Sequence, residues 1–362
     1  MKKKIKICLW QYRPSLHQLA LVEALSKKCD LTWVIEKKDL VGSRSKMGWN
    51  INSNVHFINI SSFELMVKFI SKLDEDIVHI FGGFRSSNNL EKILENLINR
   101  NKRVFVQTES FRYVNLRGLL GVLKFYFNRL FLNKYNVEGI FAMGNLGVNF
   151  FSSALLRFDK VMQFGYFTVN REFHIKQTSD IFKIVFVGQH VKRKGIDLLF
   201  KAIKNIEDNF KLYIIGDGQL NNYLKEFVVN NHLQDKVIFL GNLDNDDVLS
   251  YISTSDLLVL PSRFDGWGAV VSEALMQGTP VVTSDKCGSS VLINNSERGA
   301  IIRAGSVKQL HNAIIKQISK GKITIKKRQE LIQWSECISG NVAAQYMIDC
   351  INDKKPKVPW ID

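Results

Sequence analysis

Two carboxylates, a pair of glycines and a short run of cations carry most of the chemistry in this sequence. In LLVLPSRFDGWGAVVSEALMQGTPVVT, residues 257–283, an apolar run ends at Pro261-Ser262, a loop with Gly266 and Gly268 follows, and a helix is expected to begin near Gly268. Glycines at a helix start remove side chains where the first backbone N–H groups stand at the positive end of the helix, so phosphate or hydroxyl oxygens can approach them. Asp265 and Glu273 bracket that start. About eight residues at ~1.5 Å each hold the two within ~12 Å, so they could grip different parts of one extended ligand. Beside a diphosphate, carboxylates suit hydroxyl groups better than phosphate oxygens. The same residues also fit a plain tight turn capped by Asp265.

A second cluster lies in VFVGQHVKRKG, residues 185–195, where a strand runs into Gly188 and Gln189 and then into Lys192, Arg193 and Lys194 at the mouth of the next helix. Cations gathered at a diphosphate stabilise it as a leaving group when the bond to it breaks. The alternative is a solvated basic loop. Gly216, in Ile215-Gly216-Asp217-Gly218, ends a further strand.

Toward the amino terminus, QYRPSLHQ (11–18) leads from a strand into a helix without a glycine-rich loop, setting Arg13 and His17 near a helix start suited to an anion. Glu109 follows the run Val104–Gln107, at a strand's carboxyl end. There it could orient or deprotonate an incoming hydroxyl, or be a solvated loop acid. Residues 112–134 hold Arg112, Arg117, Lys124, Arg129 and Lys134, no acid, and large apolar residues such as Leu119, Leu120, Leu123, Phe127 and Phe131. This suits an interfacial helix against anionic lipid, or a buried crossover helix with basic ends.

Positioning these groups requires strands that end at them. Short β-branched runs alternate with helix-period segments along almost the whole chain, the pattern of an α/β protein with parallel strands and crossover helices. In the first half the pattern predicts strands near 5–10, 31–35, 77–81, 104–107 and 139–143, with helices near 16–28, 63–73, 90–99, 116–132 and 145–158. In the second half it predicts strands near 182–187, 212–215, 237–240, 257–260, 281–283 and 300–302, with helices near 196–206, 220–230, 246–253, 269–277 and 306–318. The 362 residues allow two domains. Boundaries are expected at residues 1–170, a polar linker at 171–180, a second domain at 181–340, and a terminal helix and tail at 341–362. Two doubly wound domains facing across a cleft would present the carboxyl ends of both sets of strands to one substrate.

Composition narrows the partners. Hydrophobic residues are 46% of the chain and charged residues 23%, an ordinary globular balance. The net charge of +16 is concentrated in residues 1–175, with 26 basic and 14 acidic side chains. Such a field suits a phosphorylated ligand, a polyanion or an anionic membrane surface. Five scattered cysteines form no zinc or dithiol pattern, which points to a reducing cytoplasm. The opening lysines are not followed by a signal-peptide apolar stretch, and no window approaches a spanning helix. No nucleic-acid motif accompanies the basic residues.

The segment 257–283 resembles the donor-binding signature of retaining glycosyltransferases of the GT-B fold, family GT4. In that family a Pro-Ser pair precedes an acidic-Gly-aromatic-Gly loop, and a Glu stands eight positions beyond the acid. Glutamate is usual where this chain has Asp265, and arginine is usual where it has Gln189, while Lys194 and Glu273 match. The similarity extends through 183–318, and the stretch 334–346 resembles terminal helices that often return to the amino-terminal domain. The resemblance implies a first, acceptor-binding Rossmann-like domain and a second that binds a nucleotide diphosphate sugar. Donor contacts would be Gly188, Gln189, Arg193, Lys194, Gly216, Asp265, Gly266, Trp267, Gly268 and Glu273, with Glu273 on the ribose. Lys194 and Asp265 would be catalytic, and the residues themselves add Glu109 as a further catalytic candidate and Arg13, His17 and Glu109 as acceptor or cleft residues, with Arg13 and its helix start able to meet the donor diphosphate from the opposite wall of the cleft. No cofactor or metal is expected. The implied activity is transfer of a sugar to a glycan or lipid-linked acceptor of a bacterial surface polysaccharide (O-antigen or capsule), in the cytoplasm and peripherally at the inner face of its membrane. A nucleotide-sugar epimerase, a phosphorylase of the same fold, and a non-catalytic sugar-nucleotide or anionic-lipid binding protein are the alternatives.

Overall fold

Runs such as Leu257–Leu260 and Gly139–Met143 are buried along their full length, as parallel strands covered on both faces must be. The computed structural model describes residues 4–37, 55–111, 116–131, 134–153, 156, 158–168 and 180–361. The chain divides into two units, Thr168–Ser339 with the residues from Pro359 forming the second, and the described residues up to Phe167 together with Gly340–Val358 forming the first. The expected linker at 171–180 lies outside the described residues except for Asp180.

In the first unit the strands are β1 (Lys6–Gln11), β2 (Asp30–Ile35), β3 (Ile58–Asn59), β4 (Val78–Phe81), β5 (Val104–Thr108), β6 (Gly139–Met143) and β7 (Val161–Phe164). The helices are α1 (Leu16–Lys28), α2 (Phe63–Ile70), α3 (Asn88–Asn99), α4 (Leu116–Phe131) and α5 (Gly144–Phe151). All strand pairs are parallel, in the order β3-β2-β1-β4-β5-β6-β7. Ser62 and Ser87 cap α2 and α3 by accepting from Leu65 N and Leu90 N, which satisfies donors that each helix start leaves open. The predicted helix at 145–158 ends already at Phe151, where Ser152 becomes the carboxyl-terminal cap.

The second unit contains β8 (Phe182–Val187), α6 (Ile196–Ile203), β9 (Phe210–Ile215), α7 (Asn221–Asn230), β10 (Val237–Gly241), α8 (Asn245–Ser253), β11 (Leu257–Leu260), α9 (Ala269–Met276), β12 (Val281–Ser284), β13 (Gly299–Ile302), α10 (Val307–Ser319) and α11 (Ile325–Trp334). Its sheet is again parallel, ordered β10-β9-β8-β11-β12-β13. The strand order reverses between β8 and β11, so the crevice that a doubly wound sheet offers to a ligand lies beyond the carboxyl ends of these two strands. In the first unit the reversal falls between β1 and β4.

A final helix, α12 (Gly340–Ile351), belongs to the first unit. It packs on α1, and Tyr346 stacks on Phe164 with ring centroids 6.3 Å apart. Among the described residues no helix is long and apolar enough to cross a membrane.

Candidate functional site

The loops after β8 and β11 flank the reversal point of the second sheet, and they hold the cations and carboxylates singled out above. They are joined by their backbones. Arg263 N donates to Arg193 O at 2.8 Å, and Gly195 packs so tightly on Pro261 that an added Cβ would collide with the Pro261 carbonyl. Gly195 also has φ +71°, a left-handed conformation that glycine alone adopts cheaply. The resulting 3-10 turn Lys192–Lys194 leads directly into α6.

On this frame Lys194 Nζ lies 2.5 Å from Asp265 Oδ2, and Arg193 Nη1 lies 3.8 Å from Asp265 Oδ1 and donates to Phe264 O at 3.3 Å. The Lys194 stem runs beside Gly188, where an added Cβ would stand 3.8 Å from it. Gln189 is exposed at the rim. Gly216 supports the floor: its N–H donates to Gly241 O at 2.7 Å, and Gly188 N donates to Ile215 O at 3.0 Å.

Asp265 is held by its own backbone, its N–H donating to Lys286 O and its carbonyl accepting from Gly288 N, at 2.9 and 3.0 Å. Gly268 adopts φ +83° immediately before α9, and a Cβ there would come within 2.6 Å of Cys287 Sγ. The loop Gly266–Gly268 is therefore pressed against Cys287 and Ser289. Trp267 turns its side chain into the core, where Nε1 donates to Ser272 Oγ at 3.0 Å, so it offers the loop's ligand side only backbone. Glu273, one turn into α9, is buried, and burial pushes its carboxyl up to about 7.

The first unit carries the remaining candidates. Arg13 follows β1, its guanidinium 5.0 Å above the Tyr12 ring, and its Nε is buried without a partner among the described residues. His17 lies in the first turn of α1, its ring 6.4 Å from Tyr166 and its carbonyl accepting from Phe167 N. Glu109 follows β5 and lines an open hollow of about 400 Å³ with Arg85, Ser110, Gly118 and Gly121.

Sequence reasoning missed the side chains that hold the second unit's loops. Arg263 forms a two-pronged ion pair with Asp197 at 2.7 and 2.8 Å and donates to Lys192 O at 2.6 Å. The signal was an arginine beside Pro261-Ser262 and an acid in the first turn of α6. His190 was also missed: it is buried, donates through its backbone to Asp217 O at 2.9 Å, and has Nδ1 against Asn221 Oδ1. Burial lowers its imidazole pKa.

Two parallel-sheet units of this kind, with the polar loops gathered at the reversal point of the second, define the GT-B architecture. The crystal structure of HepE from Anabaena in complex with UDP superposes with a TM-score of 0.72 over 96% of this chain and 100% of that one, at 16% identity. Within that architecture residues 170–335 match the family described as glycosyl transferases group 1. An uncharacterized glycosyltransferase of Methanocaldococcus jannaschii is 32% identical over 162 residues, 43% of this chain and 45% of its own length. CapM, a capsular polysaccharide biosynthesis glycosyltransferase of Staphylococcus aureus, is 30% identical over 179 residues, 48% of this chain and 45% of its own length. The matched segments thus span less than half of these curated relatives.

Proposed function

We propose that this protein is a retaining glycosyltransferase that moves a hexose-type sugar from a nucleotide diphosphate donor to a glycan or lipid-linked acceptor in the assembly of a surface polysaccharide such as an O-antigen or a capsule. The observation that carries the reading is the Lys194–Asp265 pair, with Arg193 beside it, at the strand reversal of a group 1 segment. The UDP bound by HepE and the capsular role in the name of CapM support it.

In this reading Lys194 and Arg193 turn from Asp265 to the donor diphosphate. Their charge, together with the positive ends of α6 and α9, counters the negative charge that grows on the leaving group. Asp265, released from Lys194, accepts from a hydroxyl of the donor sugar, and Glu273 as carboxylate accepts from the ribose hydroxyls. The backbone of Gly266–Gly268 faces the sugar or diphosphate. The bond from the anomeric carbon to the diphosphate oxygen breaks, a bond to the acceptor oxygen forms on the same face, and the acceptor proton passes to the departing diphosphate. Glu109 orients the acceptor hydroxyl, His17 lines the cleft, and Arg13 meets the donor diphosphate from the first unit. No metal is required where these cations supply the positive charge. The enzyme works in the cytoplasm, at the inner face of the membrane.

The test is a thermal-shift panel of UDP, GDP, dTDP and CMP with their sugars, since a ligand that binds only the native state raises apparent stability. Transfer with the selected donor then follows, and NMR reads the anomeric configuration of the product. An inverted product refutes retention. Interconversion of the donor without acceptor favours an epimerase, and binding without transfer to any acceptor favours a non-catalytic role.

A further inference from the structure

Thirteen large apolar side chains are exposed among the described residues, and six of them lie on α4: Leu119, Leu120, Leu123, Phe127, Leu130 and Phe131. At 100° per residue they share one face, opposite Val122 and Phe125, which are buried. Phe125 packs against Phe84, Phe111 and Tyr135, so the helix is fixed by its inner face while the described residues leave its outer face exposed. From Leu119 to Phe131 the stripe is ~18 Å long.

We propose that α4 lies in the plane of an anionic bilayer surface with this stripe in the acyl boundary. The inference deepens the peripheral placement proposed above and rests on it for its purpose, though not for its test. Charge selects the occupant. The chain carries +16, residues 110–137 contain no acid, and Lys124 is exposed beside the stripe. A second copy would meet the same positive field and press Lys124 into an apolar seam, whereas anionic headgroups accept it.

The structure also changes which force dominates. Of the five cations that suggested electrostatic attachment, Lys134 pairs with Glu91 and Glu95, and Arg129 packs its guanidinium 4.6 Å over the Phe158 ring. Arg112 lies outside the described residues, and the Arg117 side chain is not described. With Lys134 and Arg129 turned inward, the six exposed apolar side chains supply the larger share of the attachment, which is weakly dependent on salt. The hollow containing Glu109 is bounded by Gly118 and Gly121 on the inner side of the same helix. A docked helix ~10 Å across would hold that hollow just above the headgroup layer, at the height of a polar head carried on a lipid anchor.

Flotation of the full chain with phosphatidylcholine vesicles containing phosphatidylglycerol tests this. The wild type is expected to float with the vesicles and to remain bound from ~0.05 to ~0.5 M salt. The triple variant Leu120→Ser, Phe127→Ser, Phe131→Ser is expected to lose binding by about a hundredfold or more. Its melting temperature and its nucleotide-induced shift should match those of the wild type. If the triple variant does not fold, a fluorophore on Leu123→Cys in a Cys337→Ser background should shift to the blue on adding vesicles. A wild type that stays in the aqueous phase, is stripped by salt, or self-associates through these side chains overturns the proposal, as does a variant that still floats or a label that does not respond. Vesicle binding without any nucleotide response would sink the glycosyltransferase reading and leave the docking intact.

Discussion

Replacing Glu273 by Gln should move stability and nucleotide binding in opposite directions. Burial raises the Glu273 carboxyl from 4.5 to about 7. At about 1.4 kcal/mol per unit, holding it ionised in the folded protein costs up to roughly 3 kcal/mol against the unfolded chain. The folded state keeps this proton more tightly, so the associated stability is complete below about pH 4.5 and is lost as pH rises through about 7. Glutamine fills the same space and never ionises. At pH 8.5 the variant should therefore melt higher than the wild type, by roughly 6 to 12 °C for a unit of this size, and the gap should close toward pH 4.5. Binding has the opposite sign, because a lost charged acceptor weakens nucleotide affinity by about 1.5 to 3 kcal/mol. In the wild type, affinity should also fall as pH drops below about 7, where a proton competes with the ribose hydroxyls. Melting curves at both pH values, with and without the preferred nucleotide, separate these effects. A variant less stable than wild type at pH 8.5, or equally displaced at both pH values, would refute the burial argument, and unchanged nucleotide affinity would remove Glu273 from the site.

Other substitutions test the rest of the site. Lys194→Ala should lower turnover by about 100- to 1000-fold at saturating donor, and weaker donor binding with normal turnover would show that Lys194 only holds the substrate. Gly195→Ala should destabilise the second unit by more than ~2 kcal/mol, since its Cβ meets backbone in a left-handed conformation, whereas Gly121→Ala, whose Cβ enters open space on a helix, should stabilise the first unit by about 0.5 to 1 kcal/mol. Chemical denaturation measures both. Glu109→Gln should reduce turnover by about 100-fold with donor affinity unchanged, and undiminished turnover would exclude Glu109 from orienting the acceptor hydroxyl.

The sheets were legible because their strands are nearly continuous apolar runs bounded by polar loops, and β8 and β11 fall at the residues expected for them. β7 escaped notice because Val161-Met162-Gln163-Phe164 is short and carries a glutamine, whose amide donates to Asn145 Oδ1 at 2.6 Å. α11 escaped because its lysines mask an inner face of little more than Arg328 and Leu331. In the candidate site, Asp265 and Glu273 could be singled out because glycines and carboxylates meet at one helix start, a pattern that a plain capped turn would also give. The Arg263–Asp197 pair could not, because its partners are far apart in sequence and only the folded loops bring them together. The same limit applied to Lys134 and Arg129, whose inward partners come from other elements.

The position of α12 sets the order in which this chain can mature. Its first residue, Gly340, is packed so closely against the Ala20 carbonyl of α1 that a side chain there would collide with it. Arg103 donates to Ile351 O at 2.8 Å, and Lys160 pairs with Asp353 at 2.5 Å. The amino-terminal unit is thus sealed by residues synthesised after the whole of 168–339. At ~5 to 20 residues per second that interval lasts ~10 to 30 s. Through that interval α12 is not yet there to cover its face of α1 or to stack Tyr346 on Phe164. A chain stopped at Ser339 should keep the whole sheet of the second unit, losing from that unit only the residues from Pro359, while its first unit stays open to proteases, although the cut lies more than 170 residues beyond the last strand of the unit it damages.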